Sequence, residues 1–175
     1  MKKVRFAIVI LVLSLVVSGC HLEQGLIQET IRQYCLLLAE GYQDLDMHRL
    51  RFVATEEQTT KVYNYMAALG EGRMKMASKL LTIDFLLVQE KPEGSARVQT
   101  REEWEYSYWN IDSGKHVGSN TVTYTLLYHL EKVNDHWLVA AIDIEQGTQG
   151  HDQQIPSFVN RPAGKPVGSQ QGGDP

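Results

Sequence analysis

Two regions of the chain show the spacing of amphipathic helices. Between residues 27 and 45, apolar side chains recur at steps of three and four, which places them along one face of an α-helix. A second helix is predicted to begin at Thr55, because Thr55-Glu56-Glu57-Gln58 has the form of a capping box in which the Gln58 side chain reaches back; Gly70 or Gly72 would end it. The first stripe is Ile27, Ile31, Tyr34, Leu38, Tyr42 and Leu45, and the second is Val62, Tyr65, Met66 and Leu69.

From Lys79 onward the pattern changes to that of β-strands. Four strands are predicted at about 80–88, 96–111, 121–133 and 137–145, and the short polar turns between them make neighbouring strands antiparallel. Helices followed by strands predict an α+β domain in which helices cover one face of the sheet. Alternation along the second strand puts the aromatic residues Trp104, Tyr106 and Tyr108 on one face, and Arg101, Glu103, Glu105 and Ser107 on the other. In the last strand, alternation puts Asp143 and Glu145 on the same face as Trp137, Val139 and Ala141.

These elements resemble the nuclear transport factor 2-like fold. The resemblance covers Leu26 to Gln146 and rests on TIDFLLV, ARVQTREEWEYSYW and TVTYTLLYHLEKVNDHWLVAAIDI after the helices. It implies a cone, in which a strongly curved antiparallel four-strand sheet wraps around the N-terminal helices. Glu103-Trp104-Glu105-Tyr106 is also similar to the cone-type domain at the end of chloroplast-division proteins. The fold hosts both enzymes and non-enzymes, so the shape alone predicts no activity.

The N-terminus has the features of a bacterial export signal. Positive residues precede a twelve-residue apolar run, which is shorter than the roughly 20 residues that a membrane-spanning helix needs. The run ends in Val17-Ser18-Gly19-Cys20, which resembles the lipobox of bacterial lipoproteins; the alternative is an ordinary signal peptide with an incidental cysteine. We therefore expect a signal peptide at 1–19, a lipidated Cys20 followed by a short linker at 20–25, the folded domain at 26–146, and a disordered tail rich in proline and glycine at 147–175.

The charge and the cysteine content of the chain limit the kinds of partner that are expected. Without residues 1–19, 14 Lys and Arg stand against 21 Asp and Glu, which gives a net charge of −7, and no basic cluster is present. Nucleic acid is therefore not predicted as a partner. Acyl chains on Cys20 predict a membrane partner. By the Gram-negative sorting rule, His21 at the second mature position predicts the outer membrane. Cys35 then has no disulfide partner and is expected to be a buried thiol.

The candidate site is the interior of the cone. Its possible lining is Tyr34, Asp84, Trp104, Tyr106 and Tyr128, although packing of helices on the sheet explains the aromatic residues by itself. An inward Asp84 would be poised as a base. An outward Asp84 is favoured, because Leu81, Ile83, Phe85 and Leu87 form an apolar face without it. No metal-binding, nucleotide-binding or nucleophile motif is present, so no cofactor, metal or catalytic set is predicted.

The sequence therefore leaves three functional hypotheses. The first is a lipid-anchored, non-catalytic envelope protein that binds a protein partner, a second copy of itself included, through the outer sheet face with Trp109, Thr121, Thr123, Thr125 and Leu127. The second is a small-molecule binding protein, or an enzyme like SnoaL or ketosteroid isomerase, that uses the interior. The third is a lipid-facing role that depends on closeness to the bilayer.

Overall fold

The computed structural model describes the backbone of residues 2–149 and the side chains of residues 22–147. Two helices, α1 (Lys2–Asp44) and α2 (Glu56–Glu71), are separated by a 3-10 helix at His48–Phe52, and a four-stranded antiparallel sheet follows. The predicted α+β class is confirmed. The Cys20 side chain and the tail beyond residue 149 lie outside the described part. The strands are β1 (Met74–Lys91), β2 (Ser95–Asn110), β3 (His116–Val133) and β4 (His136–Gln149), in the sheet order β1-β2-β3-β4.

Helix α1 packs as the apolar spacing predicts. Ile27, Ile31, Tyr34 and Tyr42 are buried, whereas Leu45 lies beyond the end of the helix with a positive φ of 58° and is exposed. The helix continues without interruption through residues 20–25, where a linker was predicted. Within the described residues, no helix is both long enough and apolar enough to cross a membrane.

The start of α2 confirms half of the predicted capping box. The Thr55 hydroxyl accepts a hydrogen bond from the Gln58 backbone N–H at 3.3 Å. The Gln58 side chain, however, does not reach back to Thr55. The Gln58 side chain is buried, and its Nε2 donates a hydrogen bond to the Tyr34 hydroxyl on α1 at 2.8 Å. This bond satisfies two buried polar groups at once.

Bulges in β1 change which side chains face the helices. Register shifts lie between Leu80 and Thr82 and between Phe85 and Leu87, and each shift reverses the alternation. The predicted continuous apolar face through Leu81 and Leu87 is therefore wrong, since these side chains are 40 % and 51 % exposed. The helix-facing set is instead Met74, Met76, Leu80, Ile83, Phe85 and Val88, all buried or packed against the core.

Two further bulges act on β4 in the same way. The register shift opposite His129/Leu130 reverses the alternation of β4 between Val139 and Ala141, and the shift opposite Thr125/Leu126 reverses it again between Ile144 and Gln146. The prediction that Asp143 shares a face with Trp137 is therefore wrong. Trp137 and Val139 are buried in the core, whereas Asp143 is exposed and pairs with His129 of β3 at 2.9 Å.

The sheet encloses the helices. Helix α1 contacts both edge strands, β1 and β4, so the sheet must curve around it. The edge of β4 is paired at one position with the segment after the 3-10 helix: Val139 donates its N–H to the Val53 carbonyl at 2.9 Å and accepts from the Thr55 N–H at 3.0 Å. The backbone groups of Val139 are therefore not available for pairing with another chain. The concave inner face and α1 therefore bury one core between them.

Candidate functional site

A carboxylate lies at the centre of the inner sheet face. Glu102 has the same orientation in β2 as Thr100 and Trp104, and its side chain has no exposed surface. Its Oε1 accepts hydrogen bonds from the Thr100 hydroxyl and the Tyr128 hydroxyl, both at 2.8 Å, and its Oε2 accepts from Trp104 Nε1 at 2.7 Å. Three donors are the pattern that an ionised carboxylate requires, and such charge-assisted bonds offset the cost of burying the charge.

A second layer of side chains from α1 completes this cluster. Cys35 Sγ lies 3.6 Å from the Tyr128 oxygen, and since that hydroxyl donates to Glu102, the thiol is the donor to Tyr128. The ring of Tyr34 meets the ring of Tyr128 edge-on, with centroids 6.3 Å apart. We call Tyr34, Cys35, Thr100, Glu102, Trp104 and Tyr128 the Glu102 cluster.

Burial keeps the other ionisable groups of the Glu102 cluster neutral. Desolvation, followed by the nearby Cys35 and Glu102, raises the pKa of the Tyr128 phenol well above its usual value of 10. Desolvation likewise raises the pKa of Tyr34 and of the Cys35 thiol. The thiol is therefore a poor nucleophile, because reactivity belongs to the thiolate. The two phenols therefore act as neutral hydrogen-bonding groups and not as acids or bases: Tyr34 accepts from Gln58, and Tyr128 donates to Glu102.

A second group of phenols lies beside the Glu102 cluster, nearer to the start of β1. Tyr106 stacks on Trp104 with ring centroids 6.1 Å apart, and it lies beside Tyr124. Tyr42 and Tyr65 meet edge-on, with ring centroids 6.1 Å apart. Burial is the main cause that raises the pKa of each of these tyrosines, and it brings Tyr65 to about 12. Tyr108 of β2 is also buried and lies near Tyr65 and Tyr124. We call Tyr42, Tyr65, Tyr106, Tyr108 and Tyr124 the tyrosine cluster.

Two buried polar atoms next to the tyrosine cluster have no hydrogen-bond partner within the described part of the chain. They are Ser78 Oγ and Asn120 Oδ1. Both flank Tyr106 in the sheet, since Ser78 of β1 and Asn120 of β3 are its direct neighbours in register. An unpartnered buried polar atom costs about 1–3 kcal/mol. A polar group that reached these two atoms would therefore gain hydrogen bonds that the described part of the chain does not supply.

The geometry of the Glu102 cluster argues against acid–base chemistry there. A general base must come within hydrogen-bond reach of the proton that it removes. Both oxygens of Glu102 are already engaged by donors of the protein, and the carboxylate is closed to solvent. Among the described residues, no group of three or more His, Cys, Asp and Glu side chains is arranged to hold a metal ion.

The structure separates the residues that were predicted to line the interior. Tyr34, Trp104 and Tyr128 belong to the Glu102 cluster, and Tyr106 belongs to the tyrosine cluster. Asp84 does not line the interior, because it is exposed on the outer face between Ile83 and Phe85.

Glu102 was missed by the sequence reasoning. The signal was available, since Glu102 has the same parity as Trp104, Tyr106 and Tyr108 and is the charged residue on an otherwise aromatic face. Charged side chains are almost never fully buried unless they are paired, so such a position indicates a buried network.

The outer sheet face is half-buried and mixed in character. Thr121, Thr123, Thr125 and Leu127 of β3 lie in one row, beside the charged outer residues of β2. Trp109 is half-buried, with His116 against its ring at 5.4 Å. The face therefore offers apolar and hydroxyl groups within a charged surround.

Comparisons with known proteins identify the fold. No family model matches the chain, and no curated protein matches it. The crystal structure of the intermembrane space region of the chloroplast protein ARC6 matches with a TM-score of 0.60 at 13% identity, over 67% of this chain and 92% of that one. An Ntf2-like protein involved in plasmid conjugation matches with a TM-score of 0.41 at 14% identity, over 67% of this chain and 43% of that one. The first likeness shows the fold: helices held within a curved antiparallel sheet.

Proposed function

We propose that the protein is a lipid-anchored protein of the bacterial cell envelope whose domain is a non-catalytic interaction module. The observation that carries the non-catalytic part is the closed Glu102 cluster. Both oxygens of the Glu102 carboxylate accept hydrogen bonds from Thr100, Trp104 and Tyr128. The carboxylate therefore joins β2 to β3 and is not free to act on a substrate.

The anchor is supported by the sequence at Cys20. A short apolar run and the residues Val17-Ser18-Gly19 precede the cysteine, and this order resembles the lipobox of bacterial lipoproteins. Two or more acyl chains hold a protein on a bilayer stably. His21 at the second mature position favours the outer membrane in a Gram-negative host. The structure adds that the fold begins very near this cysteine, since the Glu23 side chain already contacts β3 and β4.

The anchor is tested by Cys20→Ala in the full chain. The variant is expected in the soluble fraction, whereas the parent protein sediments with the membranes and its mature N-terminal peptide carries the mass of the acyl chains. Cys35→Ala is the matched control and is expected to leave the sedimentation unchanged, because Cys35 is buried. A Cys20→Ala protein that still sediments, or an unmodified mature terminus, would refute acylation at this position.

The outer sheet face is the proposed contact with a second copy or with an envelope protein. Thr123 lies in the middle of the face, so Thr123→Arg would place a charge and a long side chain within any interface there. The purified protein is expected to self-associate, or to capture an envelope partner, and Thr123→Arg to lose that association. Thr60→Arg on the exposed side of α2 is the control. A protein that stays monomeric and captures nothing would contradict this role.

A second function, small-molecule binding at the tyrosine cluster, is favoured by the unpartnered Ser78 Oγ and Asn120 Oδ1. A ligand with a hydrogen-bonding group would satisfy these atoms while its apolar part contacts the tyrosine rings. Ser78→Ala distinguishes the alternatives in a thermal-shift screen of small aromatic alcohols and ketones. With a binding site, the variant loses the shift that the parent protein shows; without one, no compound raises the melting temperature of either protein.

A further inference from the structure

The segment just after Cys20 is held by the hairpin between β3 and β4. Glu23 Oε1 accepts a hydrogen bond from Lys132 Nζ at 2.9 Å, and Glu23 Oε2 accepts one from Trp137 Nε1 at 2.9 Å. Lys132 Nζ also lies 5.7 Å from the centre of the Trp137 ring. We call these three residues the Glu23 clamp. The hydrogen bonds from Lys132 and Trp137 lower the pKa of Glu23, so the carboxylate is charged at neutral pH.

The Glu23 clamp lies at one end of the domain. The antiparallel order puts the β1–β2 turn (91–95) and the β3–β4 turn (133–136) at this end, and the Lys132 N–H joins the two by donating to the Gly94 carbonyl at 2.8 Å. We call the end of the domain that carries these two turns and the Glu23 clamp the proximal end. The β2–β3 turn (110–116) and Gln149 lie at the opposite, distal end. At 1.5 Å per residue, α1 extends about 30 Å from Glu23 to its end at Asp44.

The chain between Cys20 and the Glu23 clamp is very short. Three residue steps separate the two positions, and even a fully extended chain spans at most about 11 Å over that length. An acylated Cys20 is confined to the bilayer surface, so the clamp cannot stand further from the headgroups than this reach. A flexible linker of many residues would leave the orientation of the domain free; this connection does not.

We infer that the Glu23 clamp holds the domain in one orientation on the membrane, with the proximal end against the lipid headgroups and the distal end facing away. This inference rests on the proposed acylation of Cys20. The proximal end then contacts the headgroup layer. The tyrosine cluster, which includes Tyr42 near the end of α1, and the point where the chain leaves β4 lie on the side away from the bilayer.

The groups at the proximal end indicate how this contact is made. Acidic residues outnumber basic ones there, so anionic headgroups repel this end and do not draw it in. Attachment therefore depends on the acyl chains and the clamp, with three exposed apolar side chains available to the interface. The acidic residues are Glu23, Glu90, Glu93, Glu131 and Asp135, the basic ones are Lys91 and Lys132, and the apolar ones are Leu22, Leu26 and Val133.

The orientation is tested with the full, acylated chain in vesicles of phosphatidylethanolamine and phosphatidylglycerol that contain a headgroup nitroxide lipid. Glu93→Cys at the proximal end and Lys115→Cys at the distal end each carry a fluorophore on an exposed position. The parent protein is the blank, because Cys35 is buried and remains unlabelled. Several-fold stronger quenching is expected at position 93 than at 115.

The clamp itself is tested by adding Glu23→Ala to both labelled proteins, with Glu29→Ala, on the exposed side of α1, as the matched control. The contrast between the two labels is expected to fall to near equality with Glu23→Ala and to persist with Glu29→Ala. Lys132→Gln is the second variant, used if Glu23→Ala does not fold by circular dichroism, and it is expected to reduce the contrast in the same direction.

The outcomes separate the two proposals. Equal quenching at both positions in a protein whose acylation is shown by mass spectrometry overturns the fixed orientation and leaves the anchor standing. A contrast that survives both Glu23→Ala and Lys132→Gln overturns the role of the clamp. An unacylated protein that does not bind the vesicles overturns the anchor, and the orientation with it.

Discussion

Removal of the Tyr128 hydroxyl tests whether the Glu102 cluster stabilises the fold. In Tyr128→Phe, Glu102 Oε1 keeps the bond from Thr100 but loses the bond from Tyr128, and the Cys35 thiol loses its acceptor. The ring itself remains, so its edge-on contact with Tyr34 is kept. The substitution therefore isolates the hydrogen bonds of the hydroxyl from the packing of the aromatic ring.

The expected loss can be worked from these contacts. A hydrogen bond to a charged group contributes about 1.5–3 kcal/mol net, and the thiol bond that is lost with it is weaker. The Glu102 side chain is closed to solvent, so bulk water does not replace the lost donor. The free energy of unfolding should fall by about 2 kcal/mol, which for a domain of this size lowers the Tm by roughly 6–10 °C.

The measurement is urea unfolding of the purified full chain, followed by tryptophan fluorescence. Trp104 and Trp137 are buried and report the loss of the core. The midpoint should fall while the m-value stays constant, since the surface exposed on unfolding does not change. Tyr63→Phe is the control, because Tyr63 is 54% exposed on α2 and its hydroxyl should contribute little.

A double-mutant cycle with Glu102→Gln identifies the partner. If the Tyr128 hydroxyl stabilises the fold through its bond to the charged Glu102, Tyr128→Phe should lower the free energy of unfolding by about 1 kcal/mol less in the Glu102→Gln background than in the parent protein. A Tyr128→Phe protein within about 0.5 kcal/mol of the parent, or an equal cost in both backgrounds, would refute the reasoning that the buried carboxylate organises the inner face.

Two further predictions concern glycines and pH. Gly41→Ala should lower the free energy of unfolding by about 1–3 kcal/mol, because the new methyl would lie 2.5 Å from Met47 Sδ and 3.0 Å from the Asp46 carbonyl oxygen. Gly70→Ala should raise it by about 0.5–1 kcal/mol, because the new methyl meets open space in α2. Both changes are measured from the midpoints of urea unfolding. Burial raises the pKa of seven of the eight tyrosines. Their contribution to the free energy of unfolding is therefore complete below about pH 10, the pKa in the unfolded chain. It is lost as the pH rises towards the pKa values of the folded protein, such as about 12 for Tyr65. Melting temperatures should therefore fall steeply between about pH 10 and 12, and a flat profile there would contradict the burial of these phenols.

Local spacing in the sequence was sufficient for the class of the fold and for much of the core. The steps of three and four predicted the buried face of α1, Thr55 predicted the start of α2, and strict alternation predicted the helix-facing side of β2. Each of these features depends on residues a few positions apart, whose relative directions follow from the geometry of one helix turn or one strand.

Alternation failed where strands are bulged. An extra residue in β1 or β4 is accommodated opposite a neighbouring strand, so its position depends on pairing and not on the sequence of the strand alone. For this reason the faces of Leu81, Leu87 and Asp143 were predicted wrongly. The same limit applied to Gln58, whose side chain found Tyr34 on another helix in place of the backbone beside it.

The sequence by itself determined the order of the elements, the capping of α2 and the aromatic face of β2, because these are set by neighbours along the chain. The tertiary structure alone decided that Glu102 meets Tyr128 from another strand, that Tyr128 in turn meets Cys35 from α1, and that Glu23 meets Lys132 more than a hundred positions away. The physical reason is that a buried charge is stable only where donors converge on it, and convergence is a property of the packed sheet and helix that no single segment carries.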